Sequence, residues 1–133
     1  MRAVGAGLMR SGISGAVITL QGDLGTGKTT LVRGALESQG ITSVRSPTYT
    51  LIEYYPIGDM TVVHLDLYRL ADAEELEFLG FRDYLNPETL CFIEWPERAQ
   101  GYLQTVDLEI RLDYHTRGRR LRFRPNSARG EAL

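Results

Sequence analysis

The sequence predicts an α/β fold in which parallel strands form the centre of the sheet and an antiparallel hairpin forms its C-terminal part. The first observation is the order strand, glycine-rich turn and helix over residues 16–36. The second is the recurrence of short apolar runs that end near an acidic residue, at Asp66 and Glu94. The third is a period-two alternation at residues 106–112 and 121–123, on either side of a turn, which is typical of a hairpin.

The N-terminal half of the chain contains a helix pattern, a strand, a second helix and a second strand. Residues 1–12 have weak helical character that is interrupted by glycines. Residues 16–20 read as a buried strand, and the helix that starts at Lys28 is expected to end near Gly40, a residue type that suits a helix C-terminus. The second half of residues 43–55 is rich in β-branched and aromatic side chains, which predicts a strand.

The C-terminal half continues the alternation of strands and helices. Residues 61–67 predict a strand, residues 72–80 a short acidic helix and residues 89–94 another buried strand, and the hairpin follows. We expect residues 1–124 to form a single domain and residues 125–133 to form a disordered tail, since the last residues of a domain are often poorly ordered.

The glycine-rich turn has the spacing G-x-x-x-x-G-K-[ST] of a phosphate-binding P-loop, so the sheet is predicted to be P-loop NTPase-like. Glycines allow the backbone to turn tightly, and successive N–H groups at the start of a helix bind anions. Lys28 is the only lysine in a chain whose other long basic side chains are arginines, which indicates that this position needs a slim ammonium group. The predicted nucleotide contacts are Gly22, Asp23, Leu24, Gly25, Thr26, Gly27, Lys28, Thr29 and Thr30.

Two carboxylates at strand ends could complete a nucleotide site. Ligands on such sheets bind beyond the carboxyl ends of the strands, where Glu94 and Asp66 lie. The hydroxyl of Thr29 is expected to bind Mg²⁺, and Glu94 is the better candidate to assist it, with Asp66 as the rival for the metal or for orienting the attacking water. Thr48, in the connection after the P-loop helix, is the hydroxyl expected near the γ-phosphate.

Several other residues keep two interpretations at this point. His64 shares a strand face with Asp66, and it is either a packed side chain or a group near the attacking water. Trp95 is either a core residue or a contact for a partner. Five arginines between residues 117 and 124 form either a solvated hairpin face or a contact for the phosphate backbone of a nucleic acid, and an arginine finger is conceivable at Arg69 or Arg98.

The composition narrows the class of protein. A chain of 133 residues suits one domain, and a net charge of −2 does not favour bulk attraction to nucleic acid or membranes. Cys91 is the only cysteine, so no internal disulfide can form and a reducing compartment fits. No apolar run approaches the ~18 residues of a membrane span, and the N-terminus has no clear secretory segment, so a cytoplasmic location is expected.

Four motifs together resemble the TsaE family, also called YjeE, the bacterial P-loop ATPases of tRNA threonylcarbamoyladenosine synthesis. The motifs are GDLGTGKTT at residues 22–30, SPTYTL at 46–51, HLDLYRL at 64–70 and IEWPE at 93–97. The resemblance extends from about Val17 to Arg124, and it is specific because the four motifs occur in this order at close spacing. One departure is Thr26, where family members usually have alanine.

The resemblance implies a Mg²⁺-dependent ATPase that is weakly active alone and is stimulated by partner proteins. It implies that the protein works with the TsaD–TsaB complex, which modifies the adenosine next to the tRNA anticodon, and that it meets tRNA only through that complex. It also implies roles for individual residues. These are phosphate binding by Lys28 and the loop amides, Mg²⁺ binding by Thr29 and Glu94, a switch-like loop at Thr48, and participation of Asp66 in hydrolysis.

Two other functions use the same loop. A small-molecule kinase would move the γ-phosphate onto an acceptor, but the chain has little room for a separate acceptor-binding lid. A nucleotide-dependent binding module would hydrolyse ATP only incidentally. A regulatory GTPase is disfavoured, because its guanine-binding motif needs a second lysine and Lys28 is the only one.

Overall fold

The computed structural model contains one six-stranded mixed sheet with helices on both faces, which confirms the predicted fold class. The structure describes residues 1–10, 15–45, 47, 50–99, 101–103, 106–116, 118–127 and 130. The helices are α1 (Arg2–Arg10), α2 (Lys28–Ser38) and α3 (Glu75–Phe78), with 3₁₀ turns at Phe81–Tyr84 and Pro96–Ala99. The strands are β1 (Val17–Gln21), β2 (Ile52–Ile57), β3 (Met60–Asp66), β4 (Thr89–Glu94), β5 (Leu108–His115) and β6 (Gly118–Pro125).

The sheet has the strand order β2-β3-β4-β1-β5-β6, so β1 lies near its centre. Strand β1 pairs in parallel with both β4 and β5, and β3 pairs in parallel with β4. The register places Asp66 beside Glu94 and Glu94 beside Leu20. The carboxyl ends of β3, β4 and β1 therefore meet at one edge of the sheet, next to the turn between β1 and α2.

Both outer pairs of strands are antiparallel. The predicted C-terminal hairpin is present as β5 and β6, which pair from Leu108–Pro125 to His115–Gly118. The opposite edge is a second antiparallel pair, β2 and β3, joined by a turn at Gly58, whose φ is 59°. Short turns can join antiparallel strands, as in these two outer pairs, whereas the parallel strands at the centre need long crossover connections.

Two apolar clusters occupy the two faces of the sheet. Ile18 and Leu20 of β1 point into one cluster with α1 and α2, and Val17 points into the other with Leu76 of α3 and Phe81. This division follows from the period of two along a strand, which sends neighbouring side chains to opposite faces. The strands at the centre, β1 and β4, are buried on both faces and read as continuous apolar runs.

The weak helix predicted at the N-terminus is a continuous helix, and its glycines do not break it. They permit close packing on α2 instead. A Cβ on Gly5 would lie 1.9 Å from the Leu31 carbonyl oxygen, and a Cβ on Gly34 would lie 2.2 Å from that of Arg2. Packing of the two helices therefore outweighs the helix propensity that glycine costs.

The acidic helix is shorter than predicted, because Glu75–Phe78 alone form an α-helical turn. The Asp72 carboxylate accepts a hydrogen bond from the Glu74 N–H, and the N–H groups of Glu75, Leu76 and Glu77 each donate to the carbonyl three residues earlier. At the C-terminus, Asn126 N–H donates to the Asp107 carbonyl, next to the last residue of β6.

Within the described part of the chain, no helix is long and apolar enough to cross a bilayer.

Candidate functional site

The turn between β1 and α2 is shaped by glycines in conformations that other residues rarely adopt. The φ angles of Gly25 and Gly27 are 80° and 108°. Gly22, with φ 153°, passes so close to β5 that an added Cβ would lie 2.4 Å from the Leu112 carbonyl oxygen. Gly27 is also the N-cap of α2 and offers no side chain to its first N–H groups. These free donors and the positive end of the helix dipole make the turn a site for an anion.

The Lys28 ammonium is held inside this turn. Its Nζ donates hydrogen bonds to the Gly22 carbonyl oxygen and, at 2.9 Å, to that of Asp23. The same atom lies 4.2 Å from the centroid of the Trp95 ring, a cation–π distance. Burial lowers the pKa of Lys28, and the nearby charges of Glu94 and Asp66 oppose that shift. A phosphate anion at this position would compensate the ammonium for its lost hydration.

Thr29, Glu94 and His64 form a chain of hydrogen bonds that runs from the cavity to the buried His64. The Thr29 hydroxyl donates to both carboxylate oxygens of Glu94, at 3.0 and 2.9 Å. His64 Nε2 lies 2.5 Å from Glu94 Oε2, and because a carboxylate only accepts hydrogen bonds, Nε2 carries the hydrogen. His64 is 0% exposed and Glu94 is 2% exposed. His64 therefore restricts the orientation of Glu94, and it is a packed residue that faces Glu94.

Asp66 lies beside Glu94 at the end of β3 and is 8% exposed. Its Oδ1 accepts a hydrogen bond of 3.1 Å from the Tyr68 N–H. Burial, followed by the charge of Glu94, raises the pKa of Asp66, whereas the Tyr68 N–H, His64 and Lys28 oppose the shift. A carboxylate with a raised pKa binds a proton more readily, so the environment of Asp66 suits a group that accepts a proton from water.

Lys28, Thr29, Asp66 and Glu94 face one cavity of about 330 Å³. Its lining consists of Leu24, Gly25, Gly27, Lys28, Thr29, Thr30, Asp66, Tyr68, Arg69, Glu94 and Trp95. A larger cavity of about 410 Å³ lies beside Cys91 and the start of β1, and none of the predicted site residues lines it. The smaller cavity is therefore the candidate site, because it holds the converging polar groups.

The donor set fits a magnesium ion that is shared with phosphates. In the described residues, no three His, Cys, Asp or Glu side chains form a metal-binding group, so a cage built from protein ligands alone is not seen there. Mg²⁺ typically takes only one or two protein oxygens together with phosphate oxygens and waters. Thr29 uses its hydrogen on Glu94, which leaves the oxygen lone pairs free for a cation.

Trp95 closes one side of the site and has an unusual backbone. Its φ is 58°, in the left-handed region that non-glycine residues rarely occupy. Its ring lies 5.0 Å from the ring of Tyr68, in addition to its contact with Lys28. Trp95 thus packs at the rim of the cavity, beside Tyr68 and Lys28.

The structure brings together most of the residues proposed from the sequence. Lys28, Thr29, Asp66 and Glu94 surround one cavity, and part of the loop backbone completes the lining. Thr48 lies outside the described residues, as does Arg117 of the arginine cluster. Sequence reasoning missed two contacts to the loop, from Tyr114 and Arg119 of the C-terminal hairpin. The excess of arginines in this segment is the only sequence signal that could have indicated a contact from Arg119.

Comparison with known proteins places these features in a family. A family model described as threonylcarbamoyl adenosine biosynthesis protein TsaE matches residues 1–121. The tRNA threonylcarbamoyladenosine biosynthesis protein TsaE of Haemophilus influenzae is 51% identical over 106 residues, which are 79% of this chain and 67% of that protein. The protein of the same name from Bacillus subtilis is 42% identical over 97 residues, 72% of this chain and 60% of the relative. The chain therefore spans about 60% of the length of that second relative.

A solved structure has the same architecture. The crystal structure of Bacillus subtilis YdiB superimposes with a TM-score of 0.78 at 30% sequence identity. The superposition covers 98% of this chain and 81% of the other.

Proposed function

This chain belongs to the TsaE family of tRNA threonylcarbamoyladenosine biosynthesis proteins, and we propose that it binds ATP and hydrolyses it slowly in that pathway. The observation that carries the proposal is the convergence of three groups on one cavity: the P-loop ammonium of Lys28, the hydroxyl of Thr29 and the carboxylate of Glu94. A cation and a hydroxyl at the start of a helix, with an acid at the end of a neighbouring strand, match what a triphosphate and its counter-ion require.

In the proposed complex, the phosphates lie on the turn between β1 and α2. The N–H groups of the loop and of the first turn of α2 bind the phosphate oxygens, and Lys28 leaves the carbonyls of Gly22 and Asp23 to contact the outer phosphates. The contact of Lys28 with Trp95 changes in the same step. Since Trp95 is the only tryptophan, its fluorescence should report nucleotide binding.

Thr29 and Glu94 are the residues that would hold Mg²⁺, which when bound neutralises charge that develops on the phosphates. His64 keeps Glu94 in place through its Nε2–H, so the carboxylate does not need to be reoriented. Thr29 gives its hydrogen to Glu94 and presents its lone pairs to the site. Hydrogen bonds thus hold Thr29 and Glu94 in position before the proposed metal binds.

Asp66 is proposed to orient the attacking water and to accept its proton. It lies in the same cavity as Lys28, and burial raises its pKa, which favours acceptance of a proton. Thr48 remains our prediction for a hydroxyl near the γ-phosphate.

The proposed partners are the TsaD and TsaB proteins, with tRNA met indirectly through their complex in the cytoplasm. The test is phosphate release from ATP by the purified chain alone and with TsaD and TsaB, each with Mg²⁺. We expect stimulation by the partners and loss of the signal in Lys28→Ala. No stimulation by the partners would contradict the proposed role, whereas transfer of the γ-phosphate to a metabolite would identify a kinase.

A further inference from the structure

The C-terminal hairpin touches the P-loop from outside the cavity. The Tyr114 hydroxyl of β5 donates a hydrogen bond of 2.8 Å to the Leu24 carbonyl oxygen. Arg119 of β6 donates one of 3.3 Å to the Gly25 carbonyl oxygen, and its guanidinium lies 4.4 Å from the centroid of the Tyr114 ring. Two consecutive carbonyls of the loop are thus bound by side chains that contact each other.

These two bonds orient the N–H groups of the loop. In a planar trans peptide, the carbonyl of one residue and the N–H of the next point in opposite directions. Binding the Leu24 and Gly25 carbonyls to the hairpin therefore turns the N–H groups of Gly25 and Thr26 away from it, and the Thr26 N–H donates a hydrogen bond of 3.3 Å to the Asp23 carbonyl oxygen. Leu24 and Gly25 line the cavity, whereas neither Tyr114 nor Arg119 does, so the hairpin lies on the outer side of the loop.

The close approach of Tyr114 also accounts for the glycine at position 25. A Cβ there would lie 2.6 Å from the Tyr114 hydroxyl oxygen, closer than real contacts allow. The φ of 80° independently disfavours any other residue. The loop and the hairpin are therefore fitted to each other at this point, although they are 90 residues apart in sequence.

We propose that Tyr114 and Arg119 are positioning residues that hold residues 24–26 in the conformation that binds phosphate. This inference rests on the nucleotide site proposed above. A loop that is held before binding loses less conformational freedom when the ligand arrives, so the two side chains strengthen nucleotide binding. Among the described residues, neither side chain has a hydrogen bond or ring contact with Lys28, Thr29, Asp66 or Glu94, and the chemical step should therefore not depend on them.

The experiment compares Tyr114→Phe, which removes one hydroxyl, and Arg119→Gln with the wild type. The matched control is Tyr54→Phe, which removes a hydroxyl from β2 at the opposite edge of the sheet. Because one hydrogen bond contributes modestly, we expect Tyr114→Phe to raise the Kd for Mg²⁺–ADP and the KM for ATP by about three- to tenfold. The kcat should stay within about twofold of the wild-type value. The urea midpoint should equal that of the wild type within error, because Tyr114 is 55% exposed.

Hydrogen exchange of the nucleotide-free protein provides a second readout. The amides of residues 24–26 should exchange faster in Tyr114→Phe and in Arg119→Gln than in the wild type or Tyr54→Phe. The inference is overturned if Kd and loop exchange match those of Tyr54→Phe, or if kcat falls while KM is unchanged. If the wild type itself does not bind Mg²⁺–ADP, the proposed nucleotide site fails, and loop exchange alone still decides whether the hairpin holds the loop.

Discussion

Replacing Thr29 by valine separates the metal role of its hydroxyl from the shape of its side chain. Valine keeps the branched shape, whereas Thr29→Ser keeps the hydroxyl and serves as the matched control. In the structure, the Thr29 hydroxyl donates to both oxygens of a carboxylate that is almost fully buried. A hydrogen bond to a charged group contributes about 1.5–3 kcal/mol. We therefore expect Thr29→Val to lower the free energy of unfolding by roughly that amount, and Thr29→Ser to lower it much less.

The functional part of this prediction concerns magnesium. Valine has no oxygen to offer to the cation, so the gain in nucleotide affinity that Mg²⁺ provides should shrink. At about 1.4 kcal/mol per factor of ten, the loss of one charged-group interaction corresponds to at least about a tenfold decrease in that gain. The quantity to compare is the ratio of the Kd for ADP in EDTA to the Kd in Mg²⁺, measured by calorimetry.

The wild type and Thr29→Ser should share a similar ratio, and the ratio of Thr29→Val should be smaller by at least about tenfold. The reasoning would be refuted if Thr29→Val kept the full effect of magnesium. It would equally be refuted if the variant lost affinity to the same extent in EDTA and in Mg²⁺, because that result would identify Thr29 as a structural residue only.

Two further predictions follow from buried titratable groups. Burial and the charge of Glu94 raise the pKa of Asp66 above its ordinary 3.8, so the native state binds this proton more tightly and stability falls as pH rises between the two pKa values. We expect Asp66→Asn to lose ATP hydrolysis but to have a higher urea midpoint than the wild type at neutral pH, and a lower midpoint would contradict this account. Burial also raises the pKa of the Cys91 thiol, whose residue is 1% exposed. A thiol reagent should therefore label the native protein slowly, and urea should accelerate the labelling. Rapid labelling of the native protein would show that the surroundings of Cys91 open to solvent.

The parts of the site that were predictable are those whose chemistry is local. The P-loop could be recognised because glycine spacing, Lys28 and Thr29 all lie within one short segment between a strand and a helix. Asp66 and Glu94 could be assigned to the same edge because both end apolar strands that precede long connections, and parallel strands present their carboxyl ends together.

The remaining contacts depend on strand order, which local patterns do not determine. The approach of Tyr114 to Leu24 requires β5 to lie in parallel beside β1, and the sequence predicted a hairpin without its place in the sheet. His64 was assigned to the face of Asp66 by its period of two, but its partner Glu94 comes from the neighbouring strand. Helix propensity alone underestimates α1, because close packing at Gly5 outweighs the cost of glycine in a helix.

The measurement that tests the central claim most directly is a calorimetric titration of the wild-type protein with Mg²⁺–ATP, beside the Lys28→Ala variant. The claim is that the turn between β1 and α2, with Lys28, binds the phosphates of a nucleotide. We predict saturable binding at one site in the wild type and strongly weakened binding in Lys28→Ala, with both proteins equally folded. Absence of binding by the wild type at millimolar Mg²⁺–ATP, or equal binding by the variant, would contradict the claim.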